Sequence, residues 1–307
     1  MNKILVSPSS FGECGLEPLQ LLKDAGFEVV LNPYGRKLTE NETISLGSDI
    51  IGAVAGVESY NSNVFDMLKY LKCISRVGVG IDNIDLDYAK KRGVEICITQ
   101  NGPTQAVAEL SITLALNLIR RISVSDRRIR SGFWKKETGN LIAGKTIGIV
   151  GLGRIGKKTA SLYQSLGCTV IAYDLYPDRE WMKSNDIENV TFNTLIKNAN
   201  IISIHVPGMD DRKSIINTEE LKQMKSNCII INLSRGGIIN ENSLYTHLKT
   251  HPDFFAALDV FIEEPYKGEL TELDNIILTP HIGSYAKEAK LAMEIDAVNN
   301  LISSIGR

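Results

Sequence analysis

Short apolar runs recur along the first hundred residues, and stretches with helical spacing separate several of them. Because short buried strands that alternate with helices are typical of a parallel sheet covered on both faces, this part of the chain predicts one α/β domain. The predicted strands are 4–6, 29–31, 50–54, 74–77 and 94–98, and the predicted helices are 16–25, 65–71 and 87–92.

The pattern changes near Asn101, where Gly and Pro follow. Thr104 is placed to cap a long helix that runs to about Arg121. The following segment, 125–144, is irregular and carries Phe133 and Trp134 among charged residues. It is either an arm that packs against another subunit or a long surface loop.

A second alternation of strands and helices follows, and it predicts a second domain of the same α/β class. We therefore expect two doubly wound parallel sheets, which is also reasonable for a chain of 307 residues. The predicted strands are 146–150, 169–173, 201–205, 228–232, 256–258 and 276–278. A helix is predicted after the first of these strands, over 157–166, and a last helix over 285–304.

The run 151–156 has the sequence Gly-Leu-Gly-Arg-Ile-Gly and stands between a predicted strand and a predicted helix. In such a turn Gly151 allows the tight bend, Gly153 lets the backbone approach a pyrophosphate, and Gly156 permits close contact of helix and strand. The amino end of the helix, with Arg154 and Ile155, adds partial positive charge. The run predicts a dinucleotide site.

Asp174 follows the next strand, about 20 residues beyond the glycine run, where a ribose contact is expected. A carboxylate accepts hydrogen bonds from ribose hydroxyls and repels a 2′-phosphate, so the predicted cofactor is NAD rather than NADP. Arg179, five residues later, is placed to weaken that preference.

Composition and charge narrow the possible partners. The net charge of −2 gives no electrostatic reason to expect nucleic acid or an anionic membrane, and no apolar run is long enough to span a bilayer. Five scattered cysteines without a CxxC pair predict a reduced chain without a cysteine metal site, and no metal is expected. The start of the chain shows no signal peptide, so we expect a cytoplasmic protein.

Three later loops carry residues that suit chemistry at the carboxyl ends of strands, where a doubly wound sheet binds its ligands. Together with earlier segments, in order along almost the whole chain, they resemble the D-isomer-specific 2-hydroxyacid dehydrogenases. The matching features are 76–85, the helix with Ala108 and Glu109, the glycine run with Asp174, 205–207, the loop of Arg235, the loop of Asp259 and Glu264, and Pro280 with His281.

The resemblance implies roles for individual residues. Arg235 would bind the substrate carboxylate and polarise the C2 carbonyl, since its planar donors suit a bidentate contact. His281 would be the general acid and base, with Glu264 rather than Glu263 as its carboxylate partner. The remaining implied contacts are those of the substrate with Val77, Gly78 and Arg76, and those of the cofactor with His205, Val206, Pro207, Ser234, Asp259 and Gly283.

The resemblance also implies a discontinuous substrate domain, 1–101 plus 284–307, of flavodoxin-like type. The NAD-binding Rossmann domain, 102–283, would be inserted into it, with the active site in the cleft between them. The helix from Thr104 and the segment with Trp134 resemble the family's dimer surface, so we expect a homodimer.

Within the family, 76–85 is most similar to the 3-phosphoglycerate dehydrogenases of serine synthesis, with Arg76 as a candidate for the substrate phosphate. The segment 54–58 lacks an arginine that several of those enzymes carry, and Glu58 would repel a phosphate. Because the chain ends soon after its last predicted helix, we expect no regulatory domain of the kind found in longer relatives. Glyoxylate or hydroxypyruvate reduction is the alternative. A non-catalytic NAD(H)-sensing protein is a remote alternative, because a sensor needs only the nucleotide site and this chain also carries Arg235, Glu264 and His281.

Overall fold

A computed structural model describes residues 2–99, 102–208 and 213–306 of the chain. The chain divides into two compact units. The first unit is Met1–Pro103 with Ser284–Arg307, and the second unit is Thr104–Gly283. The predicted change of pattern at Asn101 lies outside the described residues. The assignment of 1–101 plus 284–307 to substrate and 102–283 to NAD stays a prediction.

Strands and helices alternate along both units. The strands are β1 (Lys3–Val6), β2 (Glu28–Leu31), β3 (Ile50–Ala55), β4 (Cys73–Arg76), β5 (Glu95–Ile98), β6 (Thr146–Val150), β7 (Thr169–Tyr173), β8 (Glu188–Asn189), β9 (Ile201–Ile204), β10 (Ile229–Asn232), β11 (Phe255–Leu258) and β12 (Ile276–Leu278). The helices are α1 (Glu17–Asp24), α2 (Glu40–Leu46), α3 (Ser62–Met67), α4 (Leu86–Arg92), α5 (Pro103–Ile119), α6 (Ile122–Arg130), α7 (Arg154–Ser165), α8 (Arg179–Ser184), α9 (Phe192–Asn198), α10 (Thr218–Gln223), α11 (Glu241–Thr250) and α12 (Lys287–Ile305).

The first unit contains a five-stranded parallel sheet in the order β2-β1-β3-β4-β5, which is the flavodoxin-like order. The last helix, α12, belongs to this unit. Its buried residues Ala297, Val298 and Leu301 pack with Ile4 and Val54 of the sheet. The end of the chain therefore completes the core that its beginning starts.

Two helices of the first unit differ from the sequence prediction. The helix expected at 65–71 lies at Ser62–Met67, because the Asn61 side chain caps its start by accepting a hydrogen bond from the N–H of Val64. Helix α2 was not predicted. Thr39 and Glu42 form a capping box at its start, and that spacing was readable in the sequence.

The second unit contains a seven-stranded parallel sheet in the order β12-β11-β10-β9-β6-β7-β8. Its first strand, β6, lies between β9 and β7, so the strand order reverses there, as in dinucleotide-binding sheets. An apolar cluster covers each of the two faces of the sheet. One cluster surrounds Leu195 and Phe254, and the other surrounds Tyr163 and Leu114. The predicted pair of doubly wound parallel sheets is confirmed.

The segment predicted to be irregular, 125–144, begins as a helix. The backbone of Arg121 is left-handed, with a φ of +55°, and it separates α5 from a second helix, α6, that runs from Ile122 to Arg130. Only the later part, 131–144, is irregular: it contains turns but no helix or strand. Basic residues in the last turn of α6 interact favourably with the carboxyl end of its helix dipole.

Candidate active site in the second unit

The glycine run forms the turn between β6 and α7. Gly151 has a φ of +91°, and a Cβ there would lie 2.7 Å from the carbonyl oxygen of His205. A Cβ on Gly156 would lie 2.1 Å from the carbonyl oxygen of Gly151, so the helix contacts the strand too closely for any side chain. Gly153 is different, because a Cβ there would meet nothing within 4 Å. It leaves open space at the amino end of α7, as a pyrophosphate requires.

Asp174 lies beside this turn at the end of β7. One carboxylate oxygen accepts a hydrogen bond from the N–H of Leu152 at 2.6 Å, and the other accepts from the N–H of Tyr176 at 2.7 Å. The side chain is thus held next to the glycine run. Its contact with a ribose stays a prediction.

His205 follows β9 on the other side of the turn. Its Nε2 atom lies 2.9 Å from the hydroxyl of Ser203, which lies 2.9 Å from the hydroxyl of Ser111 on α5. Burial lowers the pKa of His205 to about 4, so the ring is neutral near pH 7. Val206 packs against Gly151, and Pro207 is exposed. The cofactor contacts implied for these residues stay predictions.

The three reactive loops follow β10, β11 and β12, which are adjacent in the sheet. Two of them touch through their backbones. A Cβ on Gly236 would lie 2.0 Å from the carbonyl oxygen of Phe261, so glycine is what lets the loop after β10 lie against the loop after β11. Arg235 and Glu264 are therefore carried by neighbouring loops.

The side chains of His281 and Glu264 are within hydrogen-bond distance of each other. The Nδ1 atom of His281 lies 2.9 Å from an oxygen of Glu264, and the two side chains are 46% and 38% exposed. The other oxygen of Glu264 accepts a hydrogen bond from the N–H of Phe261 at 3.1 Å. Within the part of the chain that the structure describes, no group bonds Nε2 of His281. The ring is oriented by one nitrogen and leaves the other for a ligand.

Asp259 is fully buried, and its carboxylate holds the loop that carries His281. One oxygen accepts hydrogen bonds from the hydroxyl of Thr279 at 2.6 Å and from the N–H of Ile282 at 2.8 Å. The other accepts from the N–H of Gly283 at 2.7 Å. Burial raises the pKa of Asp259, although these donors oppose the shift. The cofactor contacts predicted for Asp259 and Gly283 are untested.

Arg235 lies in a turn shaped by Asn232. The Asn232 side chain donates to the carbonyl oxygen of Arg235 at 2.8 Å and accepts from both the N–H and the hydroxyl of Ser234, at 3.1 and 2.8 Å. The guanidinium donates to the carbonyl oxygen of Ser234 at 2.7 Å. It is half-buried, and its predicted substrate contact stays a prediction, as does the cofactor contact of Ser234.

The sequence prediction gave no role to Thr279 and Asn232, although both shape the reactive loops. Asn232 ends a strand just before a Ser-Arg-Gly-Gly turn, and an Asn at that place commonly bonds the backbone two residues on. That signal was available. The contact of Thr279 with Asp259 joins residues 20 positions apart and had no local signal.

The substrate residues predicted in the first unit lie at the end of β4 and just after it. The N–H of Val77 donates to the carbonyl oxygen of Ala55 at 2.9 Å, and the N–H of Gly78 donates to the hydroxyl of Thr99 at 2.7 Å. Both backbone N–H groups of this segment, which is predicted to contact the substrate, therefore already have acceptors within the protein. The Arg76 side chain folds back over its own turn and donates to the carbonyl oxygen of Gly80 at 3.1 Å.

A seven-stranded parallel sheet with a glycine turn at its switch point defines the class of dinucleotide-binding proteins. A family model described as D-isomer specific 2-hydroxyacid dehydrogenase, NAD binding domain, matches residues 112–283. The chain belongs to this family, and its cofactor is NAD.

Relatives with different names match the chain to a similar degree. It is 41% identical to a glyoxylate reductase of Thermococcus litoralis, over 76% of this chain and 73% of that one. It is 35% identical to a hydroxypyruvate reductase of Thermotoga maritima, over 82% and 84%. It is also 35% identical to a D-3-phosphoglycerate dehydrogenase of Archaeoglobus fulgidus, over 79% of this chain but 47% of that one. The chain thus spans about half the length of that dehydrogenase.

A solved structure has the same architecture throughout. The TT0316 protein from Thermus thermophilus superposes with a TM-score of 0.90 at 30% identity, over 99% of this chain and 97% of that one. Among the described helices, none has both the length and the apolar character that a membrane crossing needs. The described residues also hold no group of three or more His, Cys, Asp or Glu side chains arranged for a metal.

Proposed function

We propose that this protein is an NAD-dependent oxidoreductase that transfers hydride between the nicotinamide and C2 of a D-2-hydroxy acid or its 2-oxo acid. The observation that carries the proposal is the contact of His281 with Glu264 at 2.9 Å, on loops that follow adjacent strands of the NAD-binding domain. A histidine fixed at one nitrogen by a carboxylate is suited to move a proton with the other.

Each of three side chains has a defined task in the proposed reaction. In the direction of reduction, protonated His281 donates its proton to the alkoxide oxygen that forms at C2, and Glu264 stabilises the imidazolium before that step. Arg235 binds the substrate carboxylate and polarises the carbonyl. When bound, NADH supplies the hydride. In oxidation, neutral His281 takes the proton of the hydroxyl.

We propose that the protein prefers NAD to NADP, because of the position of Asp174. Its carboxylate is fixed beside the glycine turn by two backbone N–H groups. A 2′-phosphate placed at this side chain would meet a negative charge, whereas ribose hydroxyls would meet an acceptor.

For the substrate, we propose 3-phosphoglycerate and its 2-oxo acid as the first candidate, and with it a step of serine synthesis. The resemblance of 76–85 and the match to a phosphoglycerate dehydrogenase support it. Glyoxylate or hydroxypyruvate is the second candidate. It is supported by relatives of those names, of which the chain covers 73% and 84%.

We propose a homodimer, built on the segment that follows α6. Phe133, Trp134 and Leu141 are exposed there, Trp134 by 86%. An exposed apolar group of this kind is typical of an interaction site. Light scattering should give twice the mass of one chain, and Trp134→Ser should shift the protein toward monomer.

The five free cysteines fit a reducing compartment such as the cytoplasm.

The proposed activity is tested by following NADH consumption with phosphohydroxypyruvate, hydroxypyruvate and glyoxylate. We expect turnover with at least one of them, and the highest kcat/KM identifies the substrate. No turnover with any 2-oxo acid, together with tight NADH binding, would instead support a non-catalytic NAD(H) sensor. The presence of Arg235, Glu264 and His281 together disfavours that alternative.

A further inference from the structure

Glu58 is a buried carboxylate without a cation beside it. It follows β3 in the first unit and is 2% exposed. Its oxygens accept hydrogen bonds from the hydroxyl of Ser7 and from the N–H of Gly56, the latter at 3.1 and 3.2 Å. Among the described residues, none forms a salt bridge with it. Burying a carboxylate on neutral donors alone is costly, and this cost points to a role other than stability.

The position of Glu58 corrects one argument from the sequence. We expected its charge to face, and repel, a substrate phosphate. The carboxylate instead turns into the protein toward Ser7, which follows β1. Because the side chain is covered, the case against a phosphorylated substrate cannot rest on its direct contact with that substrate.

The backbone of the same segment is bonded to the loop after β4. The carbonyl oxygen of Glu58 accepts a hydrogen bond from the side chain of Asn83. The N–H of Tyr60 donates to the carbonyl oxygen of Asn83 at 2.8 Å, and the N–H of Asp85 donates to that of Tyr60 at 3.0 Å. Glu58 therefore connects the loops after β1, β3 and β4, which follow adjacent strands at one edge of the sheet.

The residues that the sequence predicts to contact substrate, Arg76 to Gly78, are the last residue of β4 and the first two of the loop after it. The N–H of Val77 is bonded to Ala55, three residues before Glu58. A shift of the loop after β3 would thus be transmitted to the predicted substrate residues by two routes, one through Ala55 and one through Asn83.

We propose that Glu58 is a positioning residue for substrate binding, and that its bonds to Ser7 and Gly56 fix the shape of the loop that carries Val77 and Gly78. The inference rests on the proposed function. In this role Glu58 contributes to the affinity for the substrate. It contacts neither NAD nor the proton that is transferred.

The experiment compares Glu58→Ala and Glu58→Gln with the wild type in steady-state kinetics, using the best 2-oxo acid of the three above. Glu58→Ala should raise KM for the 2-oxo acid about tenfold, with kcat within about threefold and the Kd of NADH unchanged. Glu58→Gln keeps the shape and one acceptor, so it should recover most of the lost affinity.

Two further variants separate positioning from stability. Thr43→Val changes a buried hydroxyl of the first unit that donates only to the carbonyl oxygen of Thr39, at the start of its own helix α2, so it should lower the Tm and leave KM unchanged. Ser7→Ala should raise KM, and the double variant with Glu58→Ala should be no worse than Glu58→Ala alone, because both act through one contact.

The inference is overturned if Glu58→Ala lowers the Tm as Thr43→Val does but keeps the wild-type KM. That result would leave the proposed function intact, since the wild type would still turn over the substrate. A wild type that turns over none of the three 2-oxo acids would refute the proposed function, and this inference with it.

Discussion

The Nδ1 atom of His281 lies 2.9 Å from an oxygen of Glu264, and this contact joins the loops that follow β11 and β12. The backbone at His281 has a φ of +56°, a conformation that is uncommon for a residue other than glycine. Asp259 bonds the hydroxyl of Thr279 and the N–H groups of Ile282 and Gly283 on either side, so the loop is held in place. The orientation of the ring is thus determined twice, by its carboxylate partner and by its backbone.

His281→Ala should lose most of the turnover while NADH still binds. Removing a general acid and base typically costs about 10²- to 10⁴-fold in rate. The change should appear in kcat, and the Kd of NADH measured by fluorescence should stay within about twofold of the wild type. Unchanged turnover in this variant would refute the acid and base role.

Glu264→Gln should lower kcat by about ten- to hundredfold, because a hydrogen bond to a charged partner contributes about 1.5–3 kcal/mol. The matched control is Glu263→Gln, which removes a carboxylate at the next position. Glu263 is exposed and makes none of the hydrogen bonds seen for Glu264, so this variant should keep the wild-type kcat. Equal losses in the two variants would contradict the assignment of Glu264.

Gly153→Ala and Gly156→Ala should separate cofactor binding from stability. A Cβ on Gly153 meets no protein atom within 4 Å, so the Tm should hardly change, but the methyl group would enter the space expected for the pyrophosphate and weaken NADH binding. A Cβ on Gly156 would lie 2.1 Å from the carbonyl oxygen of Gly151. That variant should lower the Tm by several degrees, since overpacking costs about 1–3 kcal/mol. Calorimetry and NADH titration measure both effects, and wild-type NADH affinity in Gly153→Ala would sink the first expectation.

Asp174→Ala should raise KM for NADH by about tenfold or more, from the loss of a charged hydrogen-bond acceptor. KM for NADPH should change less, because the wild-type carboxylate repels its 2′-phosphate. The ratio of KM for NADPH to KM for NADH should therefore be smaller in Asp174→Ala than in the wild type. A wild-type protein with a lower KM for NADPH than for NADH would overturn the interpretation of Asp174.

Stability should depend on pH through His205. Burial lowers its pKa in the folded state to about 4, whereas an unfolded histidine has a pKa of about 6.5. Between these values the unfolded chain binds a proton that the folded chain does not, so stability is lost as pH falls from about 6.5 to about 4. The Tm of the wild type should fall more steeply over this window than that of His205→Gln. Parallel curves for the two proteins would contradict this account of His205.

The parts that the sequence predicted well are those with strong local signals. The glycine run 151–156 and the buried strands around it needed only the spacing of glycines and apolar residues. Helix α6 was missed because its start depends on Arg121 at a φ of +55°, which no local pattern announces. The burial of Glu58 was missed because its partner Ser7 lies 51 positions away, so its charge was expected to face the substrate.

The reactive loops fall between these cases. The residue types and their order allowed Arg235, Glu264 and His281 to be named through a family resemblance. Their geometry depends on two contacts over long distances in sequence, Gly236 against Phe261 and Asp259 against the loop of His281. Such contacts are decided by the packing of whole loops, and a sequence pattern does not contain them.

The central claim is that hydride passes between the nicotinamide and C2 of the substrate, and an isotope experiment tests it most directly. The protein is incubated with NADH carrying deuterium at the transferable C4 position and with each of the three 2-oxo acids, and the product is analysed by mass spectrometry and chiral chromatography. The account predicts one deuterium at C2 of the 2-hydroxy acid, with the D configuration wherever C2 bears a carbon side chain. An unlabelled product, an L product, or no product from any of the three acids would contradict it.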